Sequence, residues 1–349
     1  MITQKAIELL QDLIRIESFS EKENKTADRI VTWFREYNIP FHRNDNNVWA
    51  TNQEFNTELP TLLLNSHHDT VKPNQAYTRD PFSPDIIDGK LYGLGSNDAG
   101  GALVSLIALF THYYAHPNPK YNLLIAATAE EEIAGKKSLS GLLEKLPKID
   151  FAIVGEPTLM DLAIAEKGLV VFEALIKGTP SHAAHPNADN PLMKIPAVIQ
   201  AIESVQFDKV SPVLGPVKVT LTQIEAGSQH NVVPSEVRLV IDVRVNECYT
   251  NSEIEQYLKA MLPCEINARS LRLKSSSIDV THPLIKTGIA LGKKIYGSPT
   301  LSDQAALDCP SLKLGPGDST RSHSADEFIY IKEIEDGIAF YIDLLKNIL

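Results

Sequence analysis

Cysteine is scarce in this chain. Three occur in 349 residues, Cys248, Cys264 and Cys309, with no C-x-x-C pair. An odd number leaves one thiol outside any disulfide pairing, so a reducing compartment is the simpler expectation. Basic charge is also in deficit: 33 Lys and Arg stand against 44 Asp and Glu, a net charge of −11. Non-specific nucleic-acid binding needs a basic face, so no nucleic-acid partner is expected. No apolar run approaches the roughly 18 residues a membrane helix needs, and no membrane association is expected. Met1 to Lys5 lead into an amphipathic pattern rather than an apolar signal core, which favours a cytoplasmic protein. Walker A and G-x-S-x-G sequences are missing, which weakens nucleotide-binding and serine-hydrolase readings. The glycines of Gly93 to Gly101 do not form G-x-G-x-x-G, because Asp98 stands where the last glycine belongs.

What is present reads as a soluble globular protein, with 43% hydrophobic and 22% charged residues. The length allows one large domain or two ordinary ones. Ala6, Leu9, Leu10, Leu13 and Ile14 mark an amphipathic helix, and further helices are expected at Thr26–Tyr37 and Ala102–Tyr114. Short apolar runs at Thr61–Asn65, Asn122–Thr128 and Phe151–Val154 read as buried strands of an α/β layer with a largely parallel sheet. Then the pattern changes. Val170–Ile176, Val217–Ile224 and Glu236–Val245 are long and partly alternating, as in a sheet with one covered and one wet face. Helical stretches near Pro191–Val205 and Ser252–Leu262 separate them, and a last helix is expected over Lys332–Leu349. The plan implied is a split catalytic domain, 1–166 and 280–349, around an inserted α+β domain, 167–279. No internal repeat or low-complexity tract is evident.

Metal-capable groups follow the apolar runs. His67, His68 and Asp69 come after Leu62–Leu64, the triple Glu130–Glu131–Glu132 after Leu123–Thr128, Glu156 after Ile153–Gly155, and His323 a short loop after Leu312–Gly315. Ligands of open α/β sheets bind at the carboxyl ends of strands. On an extended chain His67 and Asp69 point the same way, and a metal-bound histidine needs an acceptor for its second nitrogen. His68 points away and reads as a neighbour. Three adjacent glutamates could be a solvated loop or a helix N-terminus. They also suit a division of labour, one binding metal while its neighbour takes a proton from water. Asp98 could be an N-cap or a metal bridge.

Taken in order, Ser66-His67-His68-Asp69-Thr70-Val71, Gly93-Leu94-Gly95-Ser96-Asn97-Asp98, Thr128-Ala129-Glu130-Glu131-Glu132, Gly155-Glu156-Pro157-Thr158, Gly315-Pro316-Gly317 and His323-Ser324-Ala325-Asp326-Glu327 resemble the M20 zinc peptidases and deacylases. That family contains acetylornithine deacetylase, succinyl-diaminopimelate desuccinylase, aminoacylase-1 and carboxypeptidase G2. The resemblance covers nearly the whole chain. It implies a catalytic domain with a mixed central sheet flanked by helices, and a smaller inserted lid and dimerisation domain. It also implies two zinc ions, with cobalt or manganese as substitutes. His67 and Glu156 would hold one ion, Glu132 and His323 the other, and Asp98 would bridge them ahead of a non-proline cis peptide to Ala99. Glu131 would be the general acid/base, and Asp69 would orient His67. In the insert, Gly178-Thr179-Pro180-Ser181-His182 matches the segment whose His182 would stabilise the oxyanion, often across a dimer interface; the alternative is a surface histidine. Asn231 and Arg244, in Asn231-Val232-Val233-Pro234 and Asp242-Val243-Arg244, would bind a substrate α-carboxylate. For Arg244 a sheet-surface ion pair with Asp242 is the alternative. The expected reaction is hydrolysis of an N-acyl amino acid, most closely N-acetyl- or N-succinyl-ornithine or -citrulline in arginine biosynthesis, by a homodimer. A di- or tripeptidase or an aminoacylase of the same fold is the competing expectation, and a non-enzymatic binding protein is disfavoured because every proposed ligand and Glu131 are present.

Overall fold

A computed structural model describes residues 2–117, 119–346 and 348. The chain divides into two compact units. The first comprises Met1–Ala165, Ser277–Tyr296 and Ser302–Leu349, and the second Glu166–Ser276 with Gly297–Leu301. Compared with the boundaries expected from sequence, the short return Gly297–Leu301 joins the insert. Gly297 packs closely on the Val213 carbonyl, and the Ser298 carbonyl accepts the Lys167 N–H. Such long-range pairing leaves no mark in local pattern.

The central sheet of the first unit includes, in spatial order, His42–Asn44, Asn47–Thr51, Asn122–Thr128, Thr61–His67, Phe151–Val154, Ser311–Lys313 and Leu162–Glu166. Thr61–His67 is parallel to both of its neighbours, and Ser311–Lys313 is parallel to Phe151–Val154. Asn47–Thr51 joins antiparallel on one side, and Leu162–Glu166 on the other. The sheet is therefore mixed, with a parallel centre. Every residue of Thr61–His67 and Asn122–Thr128 is buried. The apolar stretches Leu62–Leu64 and Leu123–Ala127 within them suit strands covered on both faces. One cover is the helix Gly101–Tyr113, apolar around its whole circumference and buried from Gly101 through Phe110. It packs against the helices Ile2–Ile14 and Ile331–Lys346. The helix Asn24–Glu36 begins two residues earlier than sequence suggests. Of the expected last helix, Asn347 and Leu349 lie outside the described residues.

The second unit has a four-stranded antiparallel sheet in the order Lys218–Ala226, Glu236–Val245, Gly168–Lys177, Glu265–Ala268. Burial alternates along Gly168–Lys177 and Glu236–Val245. The buried face carries Phe172, Ile176, Leu239 and Ile241, which pack with Val198 and Ile202 of the helix Ile195–Glu203 and with Ile254 and Leu258 of the helix Asn251–Met261. Thr250 and Glu253 close a capping box at the start of Asn251–Met261, each side chain bonding the other's backbone N–H.

Among the described residues no helix is long and apolar enough to cross a membrane. In the first unit Leu63 is fully buried in the central strand, within a cluster that includes Leu124, Leu139, Leu142 and Val154. Leu63→Ala is expected to lower stability by about 2–5 kcal/mol, read as a fall in the urea midpoint at unchanged slope.

Candidate metal and catalytic site

Register decides where the chemistry collects. His67 lies opposite Thr128, and Asn65 opposite Val154, so three parallel strands end at one edge of the sheet. The chain leaving each strand delivers His67, the Glu130–Glu132 run and Glu156 to that edge.

His67 is 1% exposed, and its Nδ1 lies 2.9 Å from the backbone oxygen of Asp69. A carbonyl only accepts, so Nδ1 carries a proton, and Nε2 is the nitrogen left to take either a second proton or a metal. Nε2 is buried and has no hydrogen-bond partner. It faces Asp98 Oδ1 at 3.5 Å and Glu156 Oε1 at 3.8 Å. An orphaned buried imidazole nitrogen facing carboxylates, with its other nitrogen held by an acceptor, fits a metal ligand. Burial works to lower the His67 pKa, but Asp69, Asp98 and the nearby glutamates raise it well above the usual histidine value.

The expected orienting contact from Asp69 is made by its main chain. The strand ends at His67, so the two-residue alternation does not extend to Asp69. Its carboxylate lies 3.4 Å from His67 Nδ1 and accepts the Ser20 hydroxyl at 2.7 Å. It also accepts the backbone N–H groups of Glu131 and Glu132 at 3.1 and 3.2 Å. Asp69 thus fixes the glutamate run as well as the histidine. Burial pushes its pKa up, and the bonds from His67 and Ser20 outweigh that and leave it low. His68 points elsewhere, to the Thr26 hydroxyl at 2.8 Å and the Asn46 carbonyl at 2.9 Å. Burial pulls it down to about 4, so it is neutral.

The three glutamates have three environments. Glu130 adopts φ +55° and turns inward, where its carboxylate accepts the Lys137 N–H at 3.1 Å and shapes the loop. Glu131 is half-buried, and desolvation pushes its pKa well above the usual carboxylate value against the pull of His67. Glu132 meets His323 Nε2 at 3.0 Å. His323, with φ +57°, also lies 3.5 Å from Asp98 Oδ2. The Glu132 hydrogen bond lifts it to about 9. Glu156 rises to about 8 through burial, opposed by His67.

Asp98 enters on the glycine-rich loop. Its peptide bond to Ala99 is cis. Gly95 has φ +75°, and a Cβ there would sit 2.5 Å from Thr70 Cγ2, so no other residue fits this turn. Glu327, only 2% exposed, accepts the backbone N–H groups of Gly95, Asn97 and Asp98 at 3.1, 2.8 and 2.9 Å. Burial and the Asp98 charge lift Glu327 to about 8 against those three bonds. Donor atoms of His67, Asp98 and Glu132 lie within 4.8 Å of one another, close enough to share an ion. Glu156 and His323 adjoin this group.

Asp303 carries no distinguishing signal in the sequence. It is buried beneath the site, accepts the Thr128 hydroxyl at 2.7 Å, and is raised to about 6 by burial. It sits in a short 3₁₀ turn capped by Ser302, which in sequence looks like any polar loop.

Three sequence candidates belong to the second unit. His182 is exposed, in a short strand paired with Val232–Val233. Its Nδ1 accepts the Ala184 N–H at 3.1 Å. Asn231 stands beside this pair, its carbonyl accepting the Ala183 N–H. Arg244 makes a two-point contact with Asp242 at 2.9 and 3.2 Å, the sheet-surface pairing that its sequence position also allows.

Residues 63–347 match the model of Peptidase family M20/M25/M40. The chain belongs to this family. M20 enzymes are metal-dependent amidohydrolases, and the mixed α/β architecture agrees with their solved structures. One similar protein is a succinyl-diaminopimelate desuccinylase of Wolbachia pipientis from Culex pipiens (strain wPip), 27% identical over 98% of this chain and 92% of its own. A second succinyl-diaminopimelate desuccinylase, of Helicobacter pylori (strain Shi470), is 27% identical over 81% of this chain and 79% of its own. In fold, the chain is similar to the aminopeptidase PepT of Bacillus cereus, with TM-score 0.77, 15% identity and coverage of 99% and 98%. A dinuclear metal-binding peptidase of the M20 family from Bacillus subtilis gives TM-score 0.73, 17% identity and coverage of 100% and 98%.

If His67 and its neighbours bind divalent ions in this M20 chain, metal should stabilise the folded state. Zinc added to chelator-stripped protein at a hundred times its dissociation constant is expected to add about 2.7 kcal/mol, seen as a higher melting temperature. His67→Ala should remove most of that increase.

Proposed function

We propose that this M20 hydrolase removes the acyl group from an N-acylated amino acid at a two-zinc centre held by His67, Asp98, Glu132, Glu156 and His323. The observation that carries the proposal is the unpartnered Nε2 of buried His67, facing Asp98 and Glu156 beside the half-buried Glu131. Mixed imidazole and carboxylate donors suit zinc, and cobalt or manganese are accepted substitutes. When bound, a pair of such ions lowers the pKa of water and polarises an amide carbonyl.

The chain's own groups have distinct tasks. Glu131 takes the proton of the attacking water and returns it to the leaving amine. Burial raises its pKa above the usual carboxylate range, and a carboxylate shifted that way holds a proton more readily between accepting and donating it. Asp69 holds the backbone of Glu131 and Glu132 and fixes the tautomer of His67 through its carbonyl. His182 stabilises the developing oxyanion. Asn231 and Arg244 bind the substrate carboxylate, and Arg244 has a planar fork suited to it. The Asp242 partner already holds that fork in one orientation.

The desuccinylase relatives favour a succinyl group, while acetylated or succinylated ornithine and citrulline fit the motif pattern of the chain end. The decisive experiment compares release of free amine from N-succinyl-diaminopimelate, N-acetylornithine, N-acetylcitrulline and N-succinylcitrulline with hydrolysis of a dipeptide panel. Chelator-sensitive turnover of an acylated amino acid supports the proposal. Turnover confined to peptides overturns it in favour of a peptidase. Glu131→Gln is expected to lower kcat by about 10²–10⁴-fold while leaving the bound metal in place.

A homodimer through the second unit belongs to the same proposal. Lys218–Ala226 is an edge strand there, mostly exposed, with Ile224 47% exposed. An open edge of this kind is a template for pairing. Sedimentation giving twice the chain mass is expected, and Ile224→Lys should shift it toward the monomer.

A further inference from the structure

We infer that Glu327 is the positioning residue for the bridging Asp98, setting the metal affinity of the centre without touching metal or substrate. The inference rests on the metal-centre reading above. Glu327 spans the Asp98 loop from behind. One carboxylate oxygen accepts the N–H groups of both Asn97 and Asp98, and the other accepts that of Gly95. Its backbone oxygen also accepts the Gly93 N–H at 3.0 Å. Four bonds from one residue therefore hold the stretch Gly93 to Asp98.

What fixes Glu327 is equally specific. The next residues, Phe328–Tyr330, pair antiparallel with Lys90–Tyr92, which leads directly into the loop. The preceding residue, Asp326, accepts the backbone N–H groups of Thr78 and Arg79, each at 2.9 Å. Asn74 reaches the His323 carbonyl at 3.2 Å. The segment His323–Glu327 is thus tied at both ends while presenting one proposed ligand, His323, and bracing the loop of another, Asp98.

A carboxylate is the group that this position requires. It accepts on both oxygens, whereas a glutamine accepts on one and turns an NH₂ group toward the Gly95 N–H. Two donors facing each other would push the loop away and displace Asp98. Groups that orient ligands from behind typically change metal affinity by 10–100-fold when removed.

The test uses metal-stripped full-length protein, titrated with Co²⁺ and followed by visible absorption, with turnover and melting temperature measured alongside. The wild type should bind two equivalents. Glu327→Gln is expected to remain folded at the assay temperature, bind at least one Co²⁺ about 10-fold or more weakly and show an altered cobalt band. Its kcat should fall at little changed KM, and added Co²⁺ should restore part of it. Glu327→Asp, which keeps the charge but is too short to reach all three N–H groups, should behave similarly. A Co²⁺ isotherm and spectrum identical to wild type in Glu327→Gln overturns the inference and leaves the metal centre standing. A wild type that binds no Co²⁺ overturns both. Failure of both variants to fold assigns Glu327 to the stability of the domain and also overturns it.

Discussion

Buried negative charge is the constraint on which the first unit turns. Asp98, Glu131, Glu132 and Glu156 gather around one imidazole that has no solvent to share the field. Two like charges about 4 Å apart repel by roughly 4 kcal/mol at the effective dielectric of a protein surface. Protonation can relieve this, as the raised values at Glu131 and Glu156 indicate. Divalent cations relieve it more completely, because they offset several carboxylates and use the free His67 nitrogen together. The donor set thus fits a candidate cation site.

Holding that charge in place requires a scaffold that donates hydrogen bonds from behind. Asp69 takes backbone N–H groups from the glutamate run, Glu327 takes them from the Asp98 loop, and Glu130 takes one from its own turn. Each of these carboxylates is itself buried, so each would be costly without its donors. Satisfied, they fix the backbone course of these loops. The same logic explains the left-handed Gly95 and the tight course of the chain around it, since the loop must turn sharply to return Asp98 toward His67.

The second unit is built on a different principle. Its sheet is covered on one face by two helices, and its functional candidates lie on exposed or half-buried elements. His182 and Asn231 are brought side by side by a two-residue strand pairing, although 49 positions separate them in sequence. The Arg244–Asp242 contact is a sheet-surface ion pair. A pair this exposed contributes little to stability.

Much of this molecule is legible in its amino-acid order. Apolar runs identify the strands at Thr61–Asn65 and Asn122–Thr128, because strands covered on both faces carry apolar side chains at successive positions, and the first strand continues to His67. Alternation identifies Gly168–Lys177 and Glu236–Val245 as half-covered strands for the complementary reason. The ordered motifs point to the family and name the candidate ligands His67, Asp98, Glu132, Glu156 and His323. Tertiary structure alone decides the rest. The chain leaves its strand at His67, so Asp69 serves His67 through its carbonyl and the glutamates through its carboxylate. Asp303 and Glu327 reach the site from segments more than 170 residues from Thr128 and more than 220 from Asp98. Sequence determines which groups can bind, cap or carry a proton, because that is side-chain chemistry. Which of them share a buried volume is set by strand register and long-range hydrogen bonds, and local pattern carries no record of either.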